Sequence, residues 1–128
     1  MDAALLTFLT LLTAAPHLPC IHDGEAQRGV QTLPASYGVQ LVGVGFNQEM
    51  EPTVVLRRGD GRNTSSGVYE RGDKAFGRLE ILAVGGQSAL VRVDGALYVV
   101  KLKNRAVQRN WEAVARQLPR CSASTSSR

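Results

Sequence analysis

The sequence predicts a mainly β protein, a small sandwich or barrel of two short antiparallel sheets of about six strands with one C-terminal α-helix. Three observations predict it. Short apolar runs from Val39 to Leu102 are broken by Gly, Asp and Asn, the punctuation of antiparallel strands and their turns. Asp94-Gly95 stands between two such runs, and this pair suits a tight hairpin whose central residues need positive φ. Beyond Lys103 the apolar period lengthens from the strand value to the helical one. A chain of 128 residues has room for one domain. The expected organisation is a hydrophobic leader over 1–19, a linker over 20–36, a β domain over 37–103, an amphipathic basic helix over 104–119 and a flexible tail over 120–128.

The leader is apolar and uncharged from Ala3 to Ala15, apart from three threonines. It fits a signal-peptide core and is shorter than the roughly 20 residues that span a bilayer. Three readings stay open: a cleaved signal, a short anchor, and a buried helix ended by Pro16 and Pro19. Asp2 stands where a signal peptide carries Lys or Arg. Export to the periplasm, with or without an inner-membrane anchor, is the expectation. His17 to Ser36 is polar and irregular and reads as linker.

Val39 to Phe46 is the first strand. Leu41, Gly43 and Gly45 point one way and Val42, Val44 and Phe46 the other. A strand apolar on both faces is central or is covered by a partner, and the two glycines mark a bend or a close backbone approach. Asn47 to Pro52 is a turn, Thr53 to Arg58 a second strand, and Gly59 to Gly67 a long loop. Val68 and Tyr69 begin a short third strand that breaks at Gly72-Asp73. Leu79 to Val84 and Ala89 to Val93 pair across Gly85-Gly86, and Ala96 to Leu102 returns across Asp94-Gly95. Val107, Trp111, Val114 and Leu118 then form one helix stripe, with Asn104 as N-cap and Pro119 as stop. Arg105, Arg109, Glu112 and Arg116 line the opposite face. Trp111 is expected to pack this helix onto the barrel or against another protein.

Charge and chemistry narrow the function. Residues 1–103 hold ten Lys/Arg and ten Asp/Glu, so the net +4 resides in the last segment, with five Arg against one Glu. A nucleic-acid-binding barrel carries its positive charge on the strands. Here the strands are neutral and offer no row of aromatics for base stacking. No histidine follows His22, so a Ser/His/Asp arrangement has no base in the β domain. No CxxC is present, and no metal or cofactor is expected. Glycine pairs at Gly43/Gly45 and Gly85-Gly86 precede no helix and are not phosphate loops. Paired carboxylates such as Glu70 with Asp73 or Glu80 fall at turns or alternating strand positions, which suits solvation better than catalysis. Arg58-Gly59-Asp60 and Arg71-Gly72-Asp73 are explained by turn chemistry. The protein is therefore expected not to be an enzyme and to have no small-molecule substrate. Cys20 and Cys121 flank the β domain and can pair in an oxidising compartment, tying its ends together.

The order Leu41-Val42-Gly43-Val44, Thr53-Val54-Val55-Leu56, Tyr69 with Gly72-Asp73, Leu79 to Val84, Ala89 to Gly95 and Leu97 to Leu102 resembles a known family. That family is the periplasmic homology-region domain of GspC, the type II secretion inner-membrane protein, with the related PilP domain of type IV pilus assembly. The resemblance covers Val39 to Leu102 and rests on order and spacing. It implies two small antiparallel sheets packed face to face. It also implies an adaptor that docks on the N-terminal periplasmic domain of the outer-membrane secretin and links it to the inner-membrane platform. The family's contact positions fall here on Leu41, Val42 and Gly43, with Arg57 nearby; Arg105, Arg109, Trp111 and Arg116 are a second expected contact on the helix. A first strand apolar on both faces suits strand addition. The alternative reading is a cytoplasmic SH3-like barrel that binds nucleic acid through its basic C-terminal helix.

Overall fold

The computed structural model describes residues 19–59 and 62–121. The leader, most of the tail and Asp60 of the first Arg-Gly-Asp triplet lie outside the described residues. In chain order the elements are α1 (Asp23–Arg28), β1 (Val30–Thr32), a 3-10 turn (Ala35–Tyr37), β2 (Val39–Phe46), β3 (Pro52–Gly59), β4 (Thr64–Glu70), β5 (Lys74–Ala75), β6 (Leu79–Gly85), β7 (Ser88–Val93), β8 (Ala96–Lys101) and α2 (Trp111–Gln117). One sheet has the order β1-β8-β7-β6-β5 and the other β2-β3-β4. The fold is mainly β and two-sheeted, as the sequence predicts. It is not a closed barrel: a single bridge, Leu41 to Leu102, joins β2 to the end of β8.

The hairpins follow the turn residues. Asp94 and Gly95 adopt φ of 52° and 77° between β7 and β8, the left-handed pair that matches strand twist. At the Gly72-Asp73 turn, the Asp73 carboxylate accepts from the Glu70 N–H at 2.9 Å. Gly72 and Asp73 also exchange backbone hydrogen bonds with Ile81, which brings the turn onto β6. The second Arg-Gly-Asp triplet is thus a structural turn.

The five-stranded sheet is apolar on both faces, and each face is covered. Ile81, Ala89, Val91 and Val93 face the three-stranded sheet, where Val54 and Leu56 meet them. Leu82, Leu90, Leu97 and Val99 face the opposite way, against Ile21, Trp111 and Ala115. Trp111 is buried, and its indole N–H donates to the Ser88 hydroxyl at 2.8 Å, itself fully buried. One contact therefore buries the ring and satisfies two polar groups.

Three segments differ from the sequence reading. The expected linker contains α1 and β1, and β1 adds to β8 in parallel, so the larger sheet is not wholly antiparallel. Ile21 and Glu25, in the same segment, are buried. The expected loop 59–67 is shorter, because β4 begins at Thr64 and pairs with Gly59, Arg58 and Arg57 of β3. Its first residues are polar because they stand exposed, which erases the apolar signal. The expected helix 104–119 starts late. Asn104 takes φ 64° in a turn after β8. Asn110 is the cap in its place, its side chain accepting from the Ala113 N–H at 3.1 Å. Val107 stands 40% exposed outside the stripe.

The segment before β1 is held by a clasp of charge and sulfur. Arg92 projects from β7 and donates to both Glu25 carboxylate oxygens at 2.6 and 2.8 Å, and to Glu80 at 2.6 Å. It also donates to the Cys20 carbonyl. Cys20 and Cys121 form a disulfide across 101 positions, and Ile21 bridges Arg120 beside it. Burial pushes the Glu25 carboxyl up, but the Arg92 hydrogen bonds and charge and the His22 N–H outweigh it, so Glu25 titrates below its usual 4.5.

The clasp sets three expected outcomes. Arg92→Met leaves a buried carboxylate without its partner and should lower stability by about 3–5 kcal/mol, and adding Glu25→Leu should recover most of the loss; urea unfolding measures both. Glu25 contributes fully above its unfolded pKa and loses that contribution as pH falls through the lower folded value. Stability should therefore drop on acidification below pH 4.5, and Glu25→Gln should flatten that slope. Reducing the disulfide, or replacing both cysteines by serine, should cost about 2–5 kcal/mol.

Candidate functional site

With both faces of the larger sheet covered, the exposed large apolar side chains among the described residues, Val107 apart, belong to the smaller sheet and the turn after its first strand. Val42, Val44 and Phe46 on β2 are 43%, 37% and 68% exposed, and Met50 in the following turn and Val68 on β4 are exposed as well. Leu41 is buried and Gly43 and Gly45 half-buried, between exposed neighbours, but the expected facing holds only as far as Leu41. Val44 and Phe46 pair with Val54 and Pro52 and share the side of Leu41, while Gly43 and Gly45 pair with Val55 and Thr53 on the other side. The expected bend is a β-bulge. The register with β3 slips between Leu41 and Gly43, which leaves Val42 without a partner position. A bulge of this kind re-aims the side chains of an edge.

β2 is an edge strand. It pairs with β3 on one side and, on the other, meets only the Leu41–Leu102 bridge among the described residues. From Val42 to Phe46 that second side is open. An unpaired edge with apolar side chains is a template for another strand, and soluble proteins commonly blunt it with charge, bulges or cover.

Beside this edge lies a groove of about 520 Å³ between β2, β8 and the end of β1. Its apolar lining includes Leu33, Val39, Leu41, Val42, Val100 and Leu102. Arg57, Lys101 and Lys103 also line it, all three exposed. The Arg57 guanidinium donates to the Gln40 side-chain amide oxygen at 2.8 Å, and the Lys101 ammonium to the Arg105 backbone carbonyl at 2.9 Å. Of the residues expected to bind a partner, Leu41, Val42 and Arg57 line the groove, and Gly43 sits at the bulge next to it. Leu41 is itself buried, so its side chain belongs to the core and its backbone to the rim. Phe46, Leu33, Lys101 and Lys103 were not singled out by the sequence reading. The Lys101-x-Lys103 pair at the end of the last strand was the one visible signal.

The helix residues do not form one contact face. Trp111 is buried against Ser88 and faces inward, not toward a partner. Arg109 precedes the helix and lies over the indole, its guanidinium carbon 5.5 Å from the ring. Arg105 precedes the helix too, and Arg116 stands on its exposed side near Asp23 and Arg120. Glu70 and Asp73 are at the turn described above, and Glu80 pairs with Arg92. Among the described residues no cluster of three or more His, Cys, Asp or Glu is placed to hold a metal, and no helix is long and apolar enough to cross a membrane.

No protein-family model, no curated protein and no solved structure matches the chain.

The exposure pattern separates surface from core within one strand. Phe46→Ser should change unfolding free energy by less than about 1 kcal/mol, whereas Leu41→Ala, five positions earlier, should cost about 2–4 kcal/mol. Denaturant titration of the two variants checks the distinction.

Proposed function

We propose that the protein is a non-enzymatic binding module that captures an extended segment of another polypeptide along the open edge of β2. The observation that carries this reading is the coincidence of three features on one side of the smaller sheet. They are an unpaired strand edge, a row of exposed apolar side chains and an adjoining groove. Main-chain hydrogen bonds from the edge supply affinity, and pockets for alternate side chains supply selection. In a β-rich domain stapled by a disulfide, such an edge is a durable docking strip.

The finer reading places this module in the bacterial envelope. It is a periplasmic adaptor of a type II secretion or type IV pilus machine, linking an inner-membrane platform to an outer-membrane secretin. The resemblance over Val39 to Leu102 motivates it. A disulfide between Cys20 and Cys121 is compatible with an oxidising compartment. Three of the four residues to which the resemblance assigns the contact, Leu41, Val42 and Arg57, line the groove.

A photo-crosslinking residue at Val42 or Phe46 tests both levels in intact cells. The adaptor reading expects capture of an outer-membrane ring subunit, lost when the crosslinker is moved to exposed Arg116. Recovery of self-adducts only, or of nothing, counts against the edge as the docking strip. Fractionation with the soluble cytoplasm counts against the envelope assignment.

A further inference from the structure

The groove beside β2 has an uneven charge distribution, and it indicates what kind of strand it accepts. Arg57, Lys101 and Lys103 line it, and no Asp or Glu does. Elsewhere among the described residues, Arg78 pairs with Asp94 at 2.7 Å, Arg92 with Glu25 and Glu80, and Arg120 with Asp23 at 3.3 Å. None of the three groove cations is in an ion pair among the described residues. Arg57 and Lys101 hydrogen-bond neutral carbonyls, which leaves their charge uncompensated.

The placement is specific. Arg57 sits opposite Gln40 on β3, while Lys101 and Lys103 flank Leu102, the residue bridged to Leu41. The cations therefore border the apolar floor from both sheets. A strand laid along β2 presents side chains alternately to its two faces. Apolar side chains of such a segment suit the lining of Leu33, Val39 and Val42, and acidic ones between them suit the positive charge of Arg57, Lys101 and Lys103. A partner with acidic residues alternating with apolar ones satisfies both. A basic or a uniformly apolar strand satisfies one at most.

We infer that the groove binds an extended acidic peptide segment, in which Asp or Glu alternates with aliphatic residues. This rests on the edge-capture reading above and adds the partner's chemistry to it. Charge complementarity of this kind raises association rate and selects between partners more than it deepens affinity.

The test uses three short synthetic peptides in which valine alternates with glutamate, with serine or with lysine. Binding to the disulfide-intact protein is followed by amide chemical shifts and by titration. The expected result is that the glutamate peptide binds at least about tenfold tighter than the other two, shifting the amides of β2. Raising salt from about 50 to about 300 mM should weaken it several-fold. Arg57→Gln with Lys101→Gln and Lys103→Gln should erase about tenfold of the preference. All three residues are exposed, so the variant keeps its core, and its unfolding midpoint verifies that. Equal binding of all three peptides at β2 would overturn the acidic assignment and leave edge capture standing. No shift at β2 with any peptide would overturn both. Shifts that grow with protein concentration and no peptide would name a second copy of this chain as the occupant, and would overturn the proposal.

Discussion

The structure depends on a strand with no polar face to spare. β7 carries Ala89, Val91 and Val93 on one side and Leu90 on the other, all buried, and the only polar groups beside Leu90, Ser88 and Arg92, are bonded to the segments that cover them. A sheet built around such a strand cannot leave either face wet. One cover is the three-stranded sheet. The other is assembled from the two flanking segments, Ile21 with α1 and Trp111 with α2, which come from opposite ends of the described chain. Neither short helix can hold itself together in water. Each persists because the sheet requires a lid and because Arg92, Ser88 and the disulfide fix the lid in place.

This arrangement explains where the proposed recognition surface lies. The larger sheet is protected on both sides, so it cannot be the surface that recruits. The smaller sheet covers its neighbour with one face, and its other face receives no second layer from the described residues. Its edge strand is also re-aimed by a bulge at Val42. A strand that only had to be soluble would carry lysines at Val42, Val44 and Phe46. Its retention of aliphatic and aromatic side chains there is the main reason to assign it a docking role.

Much of this was legible in the residues. The β domain, both glycine-turn hairpins, the bend at Gly43 and the bifacial first strand follow from local alternation and turn chemistry, which act over a few residues. The missed elements are those whose signal is non-local. β1 is a three-residue strand of mixed polarity that exists because β8 offers it an edge. Thr64 to Gly67 is polar and becomes a strand only against Arg57 and Arg58. The stripe Val107–Trp111–Val114–Leu118 has helical spacing, yet its first turn is spent as a connector, because Trp111 must reach Ser88 after the chain turns at Asn104. At the groove, the resemblance put Arg57 near Val42. Nothing local put Lys101 and Lys103 beside them, since only the Leu41–Leu102 bridge brings that end of β8 there.

The crosslink at the base of the lid has a mechanical meaning. Cys20 and Cys121 lie 4.8 Å apart at their Cα atoms, on the side of the larger sheet away from the smaller one. Tension applied between the two ends travels through the sulfur bridge and bypasses every strand between them. The intervening hundred residues hang from that junction as an unstressed loop, so pulling on the ends would leave β2 unloaded.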